Sequence, residues 1–147
     1  MRRAVLTAVA VALAAVAVAV VVVVRQQADL SSVADLERGD CVDAAPFLAG
    51  QQPALADLTR ADCEGPHDAE VLVLVDLDER QAAAYQPVVP DAICLDALDG
   101  QADAAVSDER LLVAGVADAR EPDEGDALAC FGFAADGTRL EGRVRPR

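Results

Sequence analysis

CEGPHDAEVLVLV, residues 63–75, is the stretch from which the rest of the fold can be worked out. Cys63 is followed by the turn-forming run Glu64-Gly65-Pro66, then by the chain's lone histidine, His67, and then by an apolar run unbroken from Val71 to Val75. A strand with one wet face would alternate apolar and polar residues; an unbroken aliphatic run bounded by turn residues indicates a strand covered on both faces. Residues 70–77 are therefore expected to form a central strand.

Upstream of it, ALADLTRADC (residues 54–63) alternates well enough for an edge or half-buried strand, and residues 46–53, with two prolines, a glycine and two glutamines, have a loop composition. Arg38-Gly39-Asp40 is a turn that opens the domain at Cys41. Downstream, residues 78–85 are ambiguous between helix and loop, and Pro87 and Pro90 punctuate the chain. Pro90-Asp91 starts a helix, with proline in the first turn and an acid at the positive end of the helix dipole. Ile93, Cys94, Ala97 and Leu98 form its apolar stripe, and it stops near Gly100 or resumes through Val106. Residues 110–116 and 127–133 read as two more strands separated by the acidic turn 121–126. Asp136-Gly137 is a hairpin signal, and residues 143–147 are a basic, frayed tail. The expected class is α+β: a small, mostly antiparallel sheet carrying one main helix, two disulfides, and one preceding transmembrane helix.

That transmembrane helix is read from residues 4–24, 21 positions without a charge and with Thr7 as the polar interruption, preceded by Met1-Arg2-Arg3. A hydrocarbon core is spanned by about 20 helical residues, and the flanking arginines keep the N-terminus cytoplasmic. A cleaved signal peptide has a shorter apolar core and ends in small residues, whereas this run ends in Val21-Val22-Val23-Val24 before Arg25; a lipoprotein would need a cysteine at its end, and the first is Cys41. The resulting division is a cytoplasmic N-terminus at 1–3, a single-pass anchor at 4–24 that partners the lipid bilayer, a juxtamembrane linker at 25–38 acting as a spacer, and an extracytoplasmic domain at 39–147.

Residues 26–147 hold all 26 acids against nine arginines, a balance of −17 with His67 neutral. Phosphate neutralisation needs a basic patch, so nucleic acid is excluded as a partner. One tyrosine, three phenylalanines and no tryptophan leave Val, Leu and Ala to build the core, and a core that thin benefits from cross-links.

Four cysteines in an oxidising compartment admit three pairings. Sequence order favours Cys41 with Cys63 and Cys94 with Cys130, each closure contributing about 3–4 kcal/mol in the chain-entropy model. A redox couple would want a CxxC, which is absent. Zinc could recruit His67, but cysteine spacings of 22, 31 and 36 lack the close ligand pairs of structural zinc sites. No metal or cofactor is expected.

His67, Asp68 and Glu70 are the candidates for contact with a ligand or partner. As a general base, His67 would be oriented by Asp68 or Glu70, yet no serine or threonine stands in an elbow or triad context. The plainer reading is a turn at Pro66-His67 whose imidazole bonds neighbouring backbone at the mouth of the Cys41 to Cys63 loop. Glu70, to act in sugar hydrolysis, would need a second acid about 5–9 Å away and a saccharide cleft. The clusters Asp76, Asp78, Glu79 and Asp123, Glu124, Asp126 do not match a calcium loop and read as solvated acids.

Gly39-Asp40-Cys41, Cys63, Pro66-His67-Asp68-Ala69-Glu70-Val71, Cys94, Gly125-Asp126 before Cys130 and Asp136-Gly137, in that order, resemble the septum formation domain of actinobacterial membrane-anchored proteins. The resemblance covers about residues 36–143, and the cysteine followed by PHDAEV is its most specific part. It implies an envelope-facing domain on a membrane anchor, connected with septum formation and cell division, and the same sequential pairing of cysteines. It brings no catalytic residues. The chain departs from the family pattern in having Glu121, Pro122, Asp123 and Glu124 where an aromatic, commonly tryptophan, precedes the late Gly-Asp. The expected function is thus a non-enzymatic binding or scaffold domain with an envelope or division protein as partner. The alternatives are a cell-wall-polymer enzyme using Glu70 and His67, and an exported redox or metal-binding protein.

Overall fold

In the computed structural model, residues 30–85, 90–99 and 110–144 are described. The apolar run 4–24 lies outside them, as do the possible helical continuation through Val106 and the last three residues of the tail. Among the described residues no helix is long and apolar enough to cross a membrane.

The centre is the strand expected from VLVLV. We label the strands β1 (Cys41–Asp43), β2 (Thr59–Ala61), β3 (Pro66–His67), β4 (Ala69–Asp76), β5 (Leu111–Ala117), β6 (Ala127–Ala134) and β7 (Leu140–Glu141). Five of them form one antiparallel sheet in the order β2-β1-β4-β6-β5, with β4 in the middle; β3 and β7 pair separately, also antiparallel. The helices are α1 (Ala45–Leu48), α2 (Glu79–Ala84) and α3 (Pro90–Asp99). The fold is α+β, as expected, with α3 the longest described helix.

Leu74, expected to be covered, is 37% exposed, but from Ala69 to Val73 both faces of β4 are covered. On one, Ala69 and Val71 pack with Phe131 and Phe133 of β6 and with Phe47 of α1, whose ring centroid lies 5.5 Å from that of Phe131 and 4.9 Å from that of Phe133. On the other, Leu72 and Val73 pack with Ile93, Cys94 and Leu98, the stripe expected of α3. A β-bulge between Val71 and Val73 adds Leu72 to that second face. Leu72 fills the space over Gly132, where an added Cβ would lie 2.9 Å from Leu72 Cδ1. The disulfide Cys94–Cys130 then staples α3 to β6, and Cys41–Cys63 ties the start of β1 to the turn after β2. All four cysteines are paired, in the order favoured by the sequence.

Several local expectations are corrected. Leu30, Val33 and Leu36, assigned to a spacer, are buried in the first core; Ser32 caps a short 3₁₀ turn there and donates to Asp118 Oδ2 at 2.7 Å, fixing the segment to the end of β5. Apolar residues at 30, 33 and 36 have the spacing of a packed turn, which makes them part of the body. Only the second half of residues 54–63 is strand; Leu55–Asp57 is a 3₁₀ turn in which the Asp57 carboxylate accepts from Ala54 N–H. Residues 79–84 resolve as helix because Asp78 and Gln81 form a reciprocal capping box, 2.8 and 2.9 Å. Asp136-Gly137 is a turn, with Gly137 at φ +72°, yet it makes no hairpin: β7 crosses to pair with β3. The tail is not frayed at its start, since Arg143 and Val144 are docked on the body.

Candidate functional site

The antiparallel registers gather the residues singled out in the sequence. Cys41 lies opposite Ala61 of β2 on one side and opposite Glu70 of β4 on the other. Two residues beyond Ala61, on the same face, Cys63 comes within bonding reach, its Cα 5.3 Å from that of Cys41. Glu70 alternates with the core residues Ala69 and Val71 and so points to the opposite face, the one Cys41 shares. The two-residue pairing of β3 with β7 sets His67 beside Leu140 and leads the chain into β4 after one further residue.

Cys41, His67 and Glu70 are thereby brought together: the Cys41 sulfur, an imidazole nitrogen and a Glu70 carboxylate oxygen all lie within 4.8 Å of one another. All three residues are buried, with exposures of 2%, 0% and 5%. His67 Nδ1 is 3.0 Å from the carbonyl of Gly65, the backbone contact expected of it. A carbonyl only accepts, so Nδ1 carries the hydrogen and, in the neutral ring, Nε2 presents a bare lone pair. Among the described residues Nε2 is the one buried side-chain nitrogen or oxygen without a partner. Buried polar atoms are satisfied in the great majority of cases, so this one stands out.

Glu70 is held differently. One carboxylate oxygen accepts from Val144 N–H at 2.5 Å, while Arg143 donates to the carbonyl of Gly39 at 2.7 Å. Burial pushes the Glu70 carboxyl above its ordinary range, and the Val144 hydrogen bond, the Arg143 charge and His67 oppose that shift without cancelling it.

Asp68, third of the expected contact residues, serves the fold. At 6% exposure it accepts from Ala44 N–H at 2.9 Å and from Arg139 Nε at 2.9 Å, and Arg139 reaches on to Asp43. It links the loop into α1, the start of β4 and the chain before β7. Nothing local in the sequence announces Asp68's partners or the docking of Arg143 and Val144, because the pairs are 24 to 104 residues apart. Asp78, read as a solvated acid, instead caps α2; the signal that could have found it is an acid three residues before a glutamine. In the second acidic cluster, Asp126 accepts from Asp123 N–H at 2.8 Å, closing a turn.

Chemically, the cluster combines a borderline-soft imidazole, a hard carboxylate and a sulfur held as half of a disulfide. Buried as they are, His67 and Glu70 offer no open face to a polymer substrate. No family model, curated protein or solved structure matches this chain.

Proposed function

We propose that this chain is a membrane-anchored, extracytoplasmic binding or scaffold domain of the cell envelope, connected with septum formation. The observation that carries the reading is the closure of all four cysteines into two disulfides within one small sheet. Such bridges persist in oxidising compartments, which accords with an exported domain behind the apolar run 4–24. The resemblance of residues 36–143 to the septum formation domain adds the connection with division. The burial of His67 and Glu70 weighs against a wall-polymer hydrolase, whose acid and base must both face the scissile bond.

The test is to carry the full-length chain, tagged at its C-terminus with an export-competent fluorescent protein, in its native host, and to compare membrane and soluble fractions and the position of the signal in dividing cells. Enrichment in membranes and at septa is the expected outcome. A membrane signal spread evenly over the envelope would remove the division role, and a soluble cytoplasmic protein would remove the whole reading.

A further inference from the structure

We propose that the Cys41–Cys63 bridge is the oxidised form of a redox-gated zinc site, in which the two cysteine thiolates, His67 Nε2 and the Glu70 carboxylate bind one Zn²⁺ once the bridge is reduced. Three ligand atoms from Cys41, His67 and Glu70 already lie within 4.8 Å of one another. Ligands at about 2.0–2.3 Å from a tetrahedral zinc sit about 3.3–3.8 Å apart, so the required contraction is about 1 Å. The Cys63 sulfur, 2.04 Å from that of Cys41 in the bridge, is the fourth ligand, and after reduction the two sulfurs must open to about 3.8 Å to share the metal.

An independent observation is the ring of His67. Its Nδ1 donates to the Gly65 carbonyl at 3.0 Å, and its Nε2 is buried and unpartnered. That is the arrangement of a metal-ligating histidine, in which a backbone acceptor fixes the tautomer and turns the free nitrogen to the metal. A purely structural histidine would be expected to find a donor for Nε2 in a core this closed. Glu70 adds the second sign: a carboxylate buried at 5% exposure whose partners are one backbone N–H and the neighbouring charges. A divalent cation would satisfy both groups at once. Two thiolates, one imidazole and one carboxylate select zinc over the hard cations.

The sequence spacing of 22 between Cys41 and Cys63 concealed this site, because the close ligand pairing is supplied by strand register and not by proximity along the chain. An exported dithiol on the same side of the membrane attacks the bridge through a mixed disulfide, transfers two electrons and leaves as its own disulfide. Cys41 and Cys63 are released as thiols, and zinc binding displaces their two protons to solvent. Cys94 and Cys130, both fully buried between α3 and β6, keep the second bridge out of this exchange, whereas Cys63, though buried, retains 9% exposure.

To test the proposal, the full 147-residue chain in detergent micelles is reduced with a phosphine and freed of it, and then titrated with Zn²⁺ by calorimetry and with Co²⁺ by absorption, alongside the untreated chain. His67→Gln and Glu70→Gln are run in parallel, and circular dichroism follows the fold. The proposal expects one zinc per reduced chain, none in the oxidised chain, a thiolate-to-cobalt charge-transfer band, and affinity lowered at least about tenfold by each substitution. Zinc binding unchanged by His67→Gln would mean that cysteines alone hold the metal, and would overturn it. Absence of stoichiometric zinc in the reduced chain would overturn it equally, as would a reduced chain that unfolds and is not restored by zinc.

Discussion

Glu70 is a carboxylate whose ionisation burial opposes, and the sign of that opposition is measurable. Its carboxyl is pushed above the ordinary value of 4.5, first by burial. The native state therefore holds the proton to higher pH than the unfolded chain does. Its contribution is fully present below about pH 4.5 and is lost as pH rises through the folded value. Glu70→Gln, permanently neutral and still able to accept from Val144 N–H, is expected to melt higher than the parent, by a margin that grows as pH rises above 4.5 and then levels off. Thermal melts of both proteins at a series of pH values check this; a margin that is flat or shrinks with pH would count against it. Asp68 works in the other direction, as an acceptor the fold relies on. Asp68→Ala leaves the buried Ala44 N–H unpaired and is expected to cost about 1–3 kcal/mol. The half-exposed Arg139 adds little. Asp68→Asn, which keeps an acceptor for Ala44, should recover most of the loss in urea titrations. The role of Asp68 was hidden in the sequence because its partners, Ala44 and Arg139, come to it only through tertiary structure.

At the scale of elements, period and punctuation were good guides wherever burial was two-sided or the helix stripe was clear. VLVLV announced β4, and Ile93, Cys94, Ala97 and Leu98 announced α3, because the side chains that meet a core on either face of the sheet are apolar; Leu74, 37% exposed, meets neither core. The failures lie where contacts from elsewhere in the chain decide. Asp136-Gly137 has the composition of a hairpin, but β6 is already paired on both sides, by β4 and β5, so the following chain crosses to β3. Residues 30–36 look like a polar spacer in composition, yet three apolar side chains and a hydrogen bond to Asp118 seat them in the core. The bulge at Leu72 could not be read from an unbroken apolar run, which carries no register. It makes a specific demand on β6: Gly132→Ala would set a methyl 2.9 Å from Leu72 Cδ1 and should cost about 1–3 kcal/mol by overpacking. Combining it with Leu72→Ala should recover part of that loss, which a double-mutant cycle in denaturant would show.

For the molecule as a whole, two small cores lie on opposite faces of one sheet; Cys94–Cys130 lies within the second of them, and Cys41–Cys63 ties β1 to the turn after β2. Cys94–Cys130 closes a separation of 36 residues between α3 and β6. Replacing both cysteines by alanine is expected to cost about 2–5 kcal/mol, measured by urea unfolding of the full chain, because a native bridge of a small domain contributes on that order. The pairing was legible from sequence order. The gathering of Cys41, His67 and Glu70 was not, since it depends on which strands lie beside β1.

The central claim, an exported domain held by these two bridges behind a membrane anchor, is tested most directly on the chain in its native membranes. Free thiols are alkylated under denaturing conditions without reductant, and the membrane-fraction protein is digested and mapped without reduction. The account predicts linked peptides containing Cys41 with Cys63 and Cys94 with Cys130, and no alkylated cysteine in the bulk of the protein. Alkylated cysteines throughout, a different pairing, or a chain found in the soluble cytoplasmic fraction would contradict it.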